Sequence, residues 1–497
     1  MEPLTGPRAR VARAFSFLGY QVGLTRWHAG MVTSTRRARR SRAQDIKTLL
    51  ILGASGDLTG RLLLPGLASL VSAGRAPGLT LVGAGTEPWT PSKWQRRLAK
   101  ALPLDAGEEA SAHWKELMAT SQYRQVDVTA PGALAGLLAS LDGPVAVFFA
   151  LPPRISQLAC ESLTPEEVPF GTRLVLEKPF GSDAASAREL NGTLRRLVPE
   201  EHIHRVDHFL GKSTVLNIIG MRFANRFFEP LWNRDNVAEV EIAFEEDLAL
   251  EGRAGYYDSA GALRDMIQSH LLQVMALMAM EPPATLGERD LRDGIATVLR
   301  ASRVATPFRR NTRRARYTVG RIGGRKVPDY VAEEGVHPER ETETFAEVRV
   351  EINNTRWAGV PFILRSGKAM GTRRKEAVVR FRPLAHLPAG FSGTDQPDEL
   401  RIGFGPDTLS IGLDVTSAGN GFELSRAELS TELHSSALLP YGEVLDGVLH
   451  GDPLLSVRAD VAEDCWRIVD PVLSAWSHGR VPLEDYPAGS QGPVTES

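Results

Sequence analysis

Cysteine is scarce in this 497-residue sequence, which contains only Cys160 and Cys465. Two cysteines so far apart argue against a disulfide framework and a cysteine-based zinc site, and they favour a reducing compartment. Apolar runs are short as well: the most apolar helical segment, residues 271–280, falls below the roughly 20 residues that cross a bilayer. We therefore expect a soluble, cytoplasmic protein that does not span a membrane.

An excess of charge of either sign is also missing, because 58 basic residues face 60 acidic ones and the formal net charge is −2. Without a global positive field, we expect neither nucleic acid nor an anionic membrane as a partner. An anionic ligand must instead be met by a local cluster of basic side chains. The 42% hydrophobic and 24% charged residues are typical of a globular protein, and the length suits two or three domains.

The first 44 residues differ from the rest, since they carry nine arginines and a single acid, Glu2. They lack the apolar region and cleavage site of a secretory signal. We predict a basic, disordered arm over residues 1–44 without a defined function. A transit peptide, a segment that binds something acidic and an over-extended start before Met31 stay open as alternatives. A second disordered segment is predicted for residues 486–497.

From Asp45 onward, short apolar runs such as KTLLIL, TLVGAG and VAVFFAL alternate with helical segments. This alternation is typical of βαβ units around a doubly buried parallel sheet, so we predict a doubly wound α/β domain over residues 45–205. Later strands, such as NVAEVEIAFEE and TFAEVRVEIN, are longer and alternate apolar with polar residues. They predict a larger α+β domain over residues 206–485, with a mostly antiparallel sheet covered by helices, one of them from about Asp258 to Met280.

The stretch LLILGASGDLTG, residues 49–60, combines a buried strand, a glycine turn and a helix that starts near Asp57. In this context, backbone N–H groups and the helix N-terminus face a pyrophosphate. The full G-x-G-x-x-G pattern is missing, and a glycine turn without a ligand is the alternative. The predicted dinucleotide contacts are Gly53, Ala54, Ser55, Gly56, Asp57 and Leu58.

The second predicted strand ends in VGAGTEPW and places Thr86 and Glu87 where the adenosine ribose of a dinucleotide would lie. An acid at this position accepts hydrogen bonds from a ribose diol, whereas an arginine binds a 2′-phosphate. The strand end offers no arginine.

Three further segments carry charged residues. Lys178 in LVLEKPFG follows a parallel strand, at the edge where open α/β sheets bind ligands, although a lysine facing water is the alternative. Asp265 and His270 are about 140° apart on an α-helix, so each needs its own partner, and a packed core histidine is the alternative for His270. The basic residues between positions 368 and 375 suit a phosphate-bearing ligand or belong to a solvated loop.

Six motifs occur in a fixed order: GASGDL, EKPFG, RVDHFLGK, RFANRFFEPLWNRDN, GYYDSAGALRDMIQSHLLQ and GVPFILRSGKAM. Through them, residues 47–480 resemble the glucose-6-phosphate dehydrogenase family, whose signature is close to RVDHFLGK. The resemblance implies a Rossmann-like domain, a large α+β domain and an active site between them. It also implies a homodimer or homotetramer.

The activity implied by this resemblance is oxidation of D-glucose 6-phosphate at C1 to 6-phospho-D-glucono-1,5-lactone, the first step of the oxidative pentose phosphate pathway. Hydride passes to NADP or NAD, and no metal is required. His270 is then the base that removes the C1 hydroxyl proton, and Asp207 is the carboxylate that fixes its tautomer. The implied substrate contacts are Lys178, which also reaches the cofactor, and His208, Lys212, Glu246, Asp265, Lys368 and Arg373.

The sequence departs from the family pattern near both ligands. Phe209 replaces a tyrosine and Ser213 a glutamate, so two polar contacts near the phosphate are lost or replaced. Thr86 and Glu87 replace the arginine that reads the 2′-phosphate of NADP. This favours NAD or use of both cofactors, whereas the family pattern favours NADP, and basic residues at 93–97 would restore NADP binding if the following loop folds back.

Two other functions stay open. One is another sugar oxidoreductase of the same build, because the EKP element also occurs in proteins similar to glucose-fructose oxidoreductase. The other is a catalytically weak, nucleotide-binding regulatory homologue. Retention of a base with a carboxylate partner argues against the second, because a silent scaffold has no physical need for it.

Overall fold

A computed structural model describes residues 46–102, 107–393, 396–417, 419, 421–433 and 436–494 of the chain. The basic arm predicted for residues 1–44 lies outside these ranges. Within them, no helix combines the length and the apolar character that crossing a membrane requires.

A seven-stranded sheet occupies the first part of the chain and includes one strand from far downstream. Its strands, numbered along the chain, are β1 Thr48–Leu52, β2 Thr80–Gly85, β3 Gln122–Gln125, β4 Val145–Phe149, β5 Arg173–Glu177, β6 Ile203–Val206 and β19 Ser456–Val457. They lie in the order β19-β6-β5-β4-β1-β2-β3, and the first six are parallel. This order winds outward from β1 in both directions, as in dinucleotide-binding sheets, and confirms the predicted Rossmann-like fold.

Helices connect these strands because parallel strands need crossover segments. A π-helix, Thr59–Leu63, leads directly into the first α-helix. The α-helices of this part are α1 Leu64–Ser72, α2 Pro91–Ala99, α3 Glu108–Thr120, α4 Ala133–Ala139, α5 Pro153–Glu161 and α6 Ala184–Leu197.

The predicted division at residues 205/206 does not separate two independent halves. Strand β19 pairs antiparallel with β6, and helix α12, Pro440–His450, packs on α1. The Arg173 guanidinium donates to the Val448 carbonyl at 2.5 Å, which ties β5 to α12. Residues 440–457 therefore belong with the first sheet, since an edge strand such as β6 gains backbone partners when a distant segment covers it.

An eleven-stranded sheet dominates the rest of the chain, and most of its neighbouring strands are antiparallel. Strand β7 also pairs in parallel with β13, which makes the sheet mixed. The strands are β7 Val237–Glu245, β8 Ser302–Val304, β9 Thr312–Thr318, β12 Phe345–Ile352, β13 Phe362–Gly367, β14 Arg374–Phe381, β15 Ser392–Gly393, β16 Glu399–Gly403, β17 Thr408–Thr416, β18 Glu423–Glu432 and β20 Leu483–Pro487. A separate hairpin consists of β10 Gly320–Ile322 and β11 Arg325–Val327.

Alternation along β7 explains why helices cover one face of the large sheet. Val240, Ile242 and Phe244 are buried in the core, whereas Glu241 and Glu245 face the other side and pair with arginines of β13 and β14. The remaining α-helices are α7 Ser213–Ala224, α8 Ala254–Ala262, α9 Leu272–Ala279, α10 Glu288–Ala301, α11 Phe308–Asn311 and α13 Ala459–Ser477.

The helix predicted from Asp258 to Met280 is not one α-helix. Helix α8 ends at Ala262, a π-helix covers Leu263–Leu271, and α9 follows. Gly261 has φ 70° and ψ 171°, a conformation that only glycine adopts readily, and a Cβ at Gly261 would lie 2.5 Å from the Glu343 carboxylate.

The disordered tail predicted from residue 486 is wrong for residues 486–494. Tyr486 is buried in β20, and its hydroxyl donates to the Lys368 carbonyl at 2.6 Å. The Gly489 amide donates to the Ala369 carbonyl, and the Gly371 amide to the Ser490 carbonyl, both at 2.7 Å. Backbone pairing orders this segment, which composition alone does not reveal. Residues 495–497 lie outside the described ranges.

Candidate active site

The glycine turn lies between the end of β1 and the helical turn that starts at Asp57. Gly53 has φ 82°, and a Cβ there would lie 2.2 Å from the Ala150 carbonyl oxygen, so the turn requires glycine. The Gly53 and Ala54 amides both donate to the Ala84 carbonyl at 2.9 Å, which fixes the turn on β2. A rigid, side-chain-poor turn at a helix N-terminus fits a dinucleotide pyrophosphate.

Glu87 lies against this turn. The Ser55 hydroxyl donates to Glu87 Oε2 at 2.5 Å, and the Tyr123 hydroxyl donates to the Glu87 carbonyl at 2.9 Å. The hydrogen bond from Ser55 lowers the pKa of Glu87, so its carboxylate stays ionised at neutral pH. Thr86 is held as well, because its carbonyl accepts a hydrogen bond from Gln125 at 3.0 Å. The structure thus brings the end of β2 and the turn together.

Two basic side chains of α2 also approach the turn. The Arg97 guanidinium donates to the carbonyls of Gly56 and Ser55. The Lys93 ammonium lies 4.6 Å from the centre of the Trp89 ring. The loop after β2 therefore does fold back, but Arg97 binds backbone carbonyls of the turn.

The central pair of the site is Asp207 and His270. Asp207 follows the last residue of β6, and its Oδ1 lies 2.5 Å from His270 Nδ1 on the π-helix Leu263–Leu271. Both side chains are 1% exposed. The Phe209 amide also donates to Asp207 Oδ1 at 2.9 Å, and the Phe209 ring stacks on the His270 imidazole at 4.1 Å.

Burial sets the protonation state of this pair. Burial lowers the pKa of His270, although the Asp207 charge opposes it, so the imidazole is neutral at neutral pH. Burial alone would raise the pKa of Asp207, but the interaction with His270 outweighs it and keeps the carboxylate ionised. Because a carboxylate only accepts, His270 Nδ1 carries the hydrogen and Nε2 keeps its lone pair.

Asp265 and Lys178 form a second pair beside the first. The Lys178 ammonium donates to Asp265 Oδ1 at 3.1 Å and to the Asp265 carbonyl, and the Tyr256 hydroxyl donates to the same Oδ1 at 3.0 Å. The prediction that Asp265 and His270 have different partners is confirmed. The predicted separation of about 140° is wrong, because a π-helix bonds residue i to i+5 and therefore places residues five apart on one side.

A basic cluster lies next to the pairs. The Lys212 ammonium is 3.9 Å from the centre of the Phe209 ring, and the Lys375 ammonium is 4.2 Å from the centre of the Phe244 ring. Glu246 accepts from Lys368 at 2.9 Å and from Lys375 at 3.2 Å. Burial and the nearby Lys375 lower the pKa of Lys212 to about 8. We call Lys212, Lys368, Lys375 and Glu246 the basic cluster.

His208 connects the pair Asp207–His270 to helix α12. Its ring meets His270 edge-on at 4.9 Å and stacks on the Tyr441 ring at 5.7 Å. Burial lowers the pKa of His208 to about 3, so this imidazole is neutral as well. Donor atoms of Asp207, His208 and His270 lie within 4.8 Å of one another, a spacing compatible with a metal ion. The absence of a metal requirement stays a prediction.

Arg373 is not brought to this cluster. Its side chain is 60% exposed and pairs with Asp247 at 2.5 Å. Lys375 faces the site instead, because it lies directly opposite Phe244 in the β14–β7 register and side chains of opposed residues share a face. Arg373 and Lys375 are two positions apart, so the alternation of a strand does not distinguish them, and no sequence signal selected Lys375. Nothing near Tyr441 or Tyr256 in the sequence indicated their positions.

A dinucleotide-binding turn at the carboxyl edge of a doubly wound sheet, beside a neutral histidine held by a carboxylate, defines a dinucleotide-dependent oxidoreductase. Two protein-family models match consecutive parts of this chain. Residues 50–217 match the model described as glucose-6-phosphate dehydrogenase, NAD binding domain, and residues 219–497 match the model of the C-terminal domain. The chain belongs to the glucose-6-phosphate dehydrogenase family.

Individual relatives and a solved structure are similar to this chain along most of its length. The glucose-6-phosphate 1-dehydrogenase of Treponema pallidum is 38% identical, over 90% of this chain and 92% of the relative. That of Gluconobacter oxydans is 37% identical, over 89% and 94%. A solved structure of a glucose-6-phosphate dehydrogenase in complex with its substrate glucose-6-phosphate superposes with a TM-score of 0.82 at 29% identity, covering 91% of this chain and 96% of that one.

Proposed function

We propose that this protein oxidises D-glucose 6-phosphate at C1 to 6-phospho-D-glucono-1,5-lactone. The observation that carries the proposal is the 2.5 Å contact between Asp207 and His270 beside a cluster of three lysines. The turn at residues 53–58 would hold a nicotinamide dinucleotide, which would supply the acceptor for the hydride that leaves C1. The relatives named above, and the solved structure that contains glucose 6-phosphate, support this substrate.

In this mechanism, His270 Nε2 takes the proton of the C1 hydroxyl. Asp207 accepts the Nδ1 hydrogen, holds the productive tautomer and stabilises the imidazolium as it forms. Asp265 and Glu246 accept hydrogen bonds from sugar hydroxyls. Lys178, which directly follows β5, would contact both the sugar and the dinucleotide. Purified protein should reduce nicotinamide in the presence of glucose 6-phosphate; nucleotide binding without turnover would instead favour the regulatory homologue.

The phosphate is held by Lys212, His208 and Lys375 in our proposal. Lys212 and Lys375 both lie over the Phe244 ring, at 5.2 and 4.2 Å, so two ammonium groups converge there. The substitution of Phe209 for tyrosine removes a hydroxyl but keeps an aromatic face, whose centre lies 3.9 Å from the Lys212 ammonium. Ser213, in place of glutamate, donates to Asp407 and adds no negative charge of its own.

Replacing Lys375 with methionine should raise the KM for glucose 6-phosphate roughly 10- to 100-fold, because a hydrogen bond to a charged group is worth about 1.5–3 kcal/mol. Turnover of unphosphorylated glucose should not change. Steady-state kinetics with both sugars provide the measurement, and Lys326→Met on β11, an exposed lysine, is the matched control. Equal losses with both sugars would contradict a phosphate contact and indicate that Lys375 only holds Glu246.

We further propose that the enzyme prefers NAD. The ionised Glu87 carboxylate, held at the turn by Ser55, suits a ribose diol and repels a 2′-phosphate. Arg97 does not offset it, because its guanidinium binds the carbonyls of the turn, whereas Lys93 lies over Trp89 and its charge helps to keep the Glu87 carboxylate ionised by lowering the pKa of Glu87.

Replacing Glu87 with arginine should shift the ratio of kcat/KM for NADP to that for NAD by about 100-fold toward NADP, because a repulsion is removed and a charged hydrogen bond is gained. The Glu87→Gln variant, which removes only the repulsion, should shift the ratio less. Initial rates with each cofactor at saturating glucose 6-phosphate give the ratio. A strong NADP preference in the wild type would refute the role of Glu87 and point to residues 93–97.

The homodimer or homotetramer and the cytoplasmic location stay predictions. So does the absence of nucleic acid and membrane partners.

A further inference from the structure

Glu177 is a carboxyl group at the centre of the site that the mechanism above does not use. It is the last residue of β5 and lies opposite Val206 of β6 in the parallel register, so it stands next to Asp207 at the carboxyl edge of the sheet. Asp207 directly follows Val206, and its charge is near enough to contribute to the raised pKa of Glu177. Glu177 Oε1 and Asp207 Oδ2 are both shielded from solvent without a hydrogen-bond partner among the described residues.

Two adjacent buried carboxyl groups do not both ionise readily, because like charges repel strongly where water is excluded. Asp207 is the ionised member, since its Oδ1 meets both His270 Nδ1 and the Phe209 amide. Glu177 has no comparable set of donors. The neighbouring Lys178 ammonium is directed to Asp265. Burial raises the pKa of Glu177 to about 8, in agreement with this assignment.

Tyr441 lies near both Glu177 and His208. The Glu177 carboxyl group and the Tyr441 hydroxyl are near enough for each to affect the pKa of the other, and the Tyr441 ring stacks on His208 with an interplanar angle of 13°. Glu177 is therefore near Asp207 on one side and near Tyr441, which stacks on His208, on the other. The titratable groups around it are Lys178, Asp207, Tyr256 and Tyr441.

We propose that Glu177 is a positioning residue that works as an uncharged acid: its proton serves Asp207 Oδ2, directly or through a water molecule, and its other oxygen holds Tyr441 against His208. This inference rests on the proposed function. It predicts that a neutral amide of the same shape can take over the function of Glu177, whereas an apolar side chain of similar size cannot.

The test compares Glu177→Gln with Glu177→Leu. At pH 7 the Gln variant should keep kcat/KM for glucose 6-phosphate within about threefold of the wild type, whereas the Leu variant should lose about 100-fold because buried polar groups are left unpaired. Thermal unfolding of both variants checks that they fold. If the Gln variant loses as much as the Leu variant, Glu177 acts as a carboxylate and the proposal is overturned.

If Glu177 had a purely structural role, its replacement would not change the pH dependence of kcat, so this dependence tests the proposal. At saturating glucose 6-phosphate, the wild-type kcat should fall above about pH 8, because ionised Glu177 competes with Asp265 for the Lys178 ammonium. The Gln variant should lack this fall. An unchanged alkaline limb in the Gln variant would contradict the proposal.

Infrared difference spectroscopy separates this inference from the proposed function. At pH 7 the wild type should show the C=O stretch of a protonated carboxyl group that the Gln variant lacks, whether or not glucose 6-phosphate is oxidised. Absence of that band would overturn the inference even in an active enzyme. Absence of turnover would overturn the proposed function but not the assignment of the proton.

Discussion

Replacing His270 with asparagine should lower kcat for glucose 6-phosphate oxidation on the order of 10⁴-fold, the upper range for loss of a general base. The imidazole is buried, neutral and held through Nδ1, which leaves Nε2 as the only lone pair of this side chain that can take the C1 proton. Asparagine is polar but has no basic nitrogen. Initial rates of nicotinamide reduction measure the effect.

Substrate binding should survive this change, because the basic cluster is untouched. Calorimetric titration with glucose 6-phosphate should therefore give a Kd close to that of the wild type. His478→Asn, which alters an exposed histidine just after α13, is the matched control and should keep full activity. A loss of less than tenfold in the His270 variant would mean that another group removes the proton.

The second large effect is expected for Asp207→Asn, which should lower kcat about 10²- to 10³-fold. An amide cannot stabilise the imidazolium as a carboxylate does, and its NH₂ group can donate to Nδ1, which leaves the hydrogen on Nε2, where the base is needed. Asp207 Oδ1 contacts both His270 Nδ1 and the Phe209 amide, so an NH₂ group in its place would also lose the hydrogen bond from the Phe209 amide.

The pH profile of the Asp207 variant has a defined sign. The Asp207 charge raises the pKa of His270 against the larger effect of burial, so its removal lowers that pKa further. The acid limb of kcat/KM should therefore move to lower pH than in the wild type. Asp235→Asn, on an exposed loop, is the control, and it should change neither kcat nor the pH of the acid limb of kcat/KM. An acid limb that stays in place would exclude Asp207 as the partner that tunes the base.

The sequence predicted the two sheets well because their strands differ in a visible way. Strands buried on both faces, such as β1 and β4, read as unbroken apolar runs, whereas β7 and β12 alternate. The pairing of Asp207 with His270 came from resemblance to a family, because 63 positions separate them in the chain. No local pattern connects residues so far apart.

Other features depend on backbone geometry that composition does not encode. The angle between Asp265 and His270 was predicted for an α-helix, and the π-helix Leu263–Leu271 changed it. Lys375 rather than Arg373 faces the cluster because of the strand register, which a sequence does not reveal to within one residue. Tyr441 reaches the site from α12, which follows strand β18 of the large sheet in sequence but packs on α1 of the first part of the chain.

Strand β20 is made late in synthesis, and the sugar-binding side of the site depends on it. Lys368 is held through its carbonyl by Tyr486, which the ribosome adds 118 positions later. The first sheet is also completed late, because β19 and α12 join it only after residues 440–457 have been made. The sugar-binding corner cannot be completed at that stage. A nascent chain therefore cannot complete the first sheet until residue 457 has been added, or the sugar-binding side of the site until residue 486 has been added, so no partly synthesised enzyme would turn over sugar.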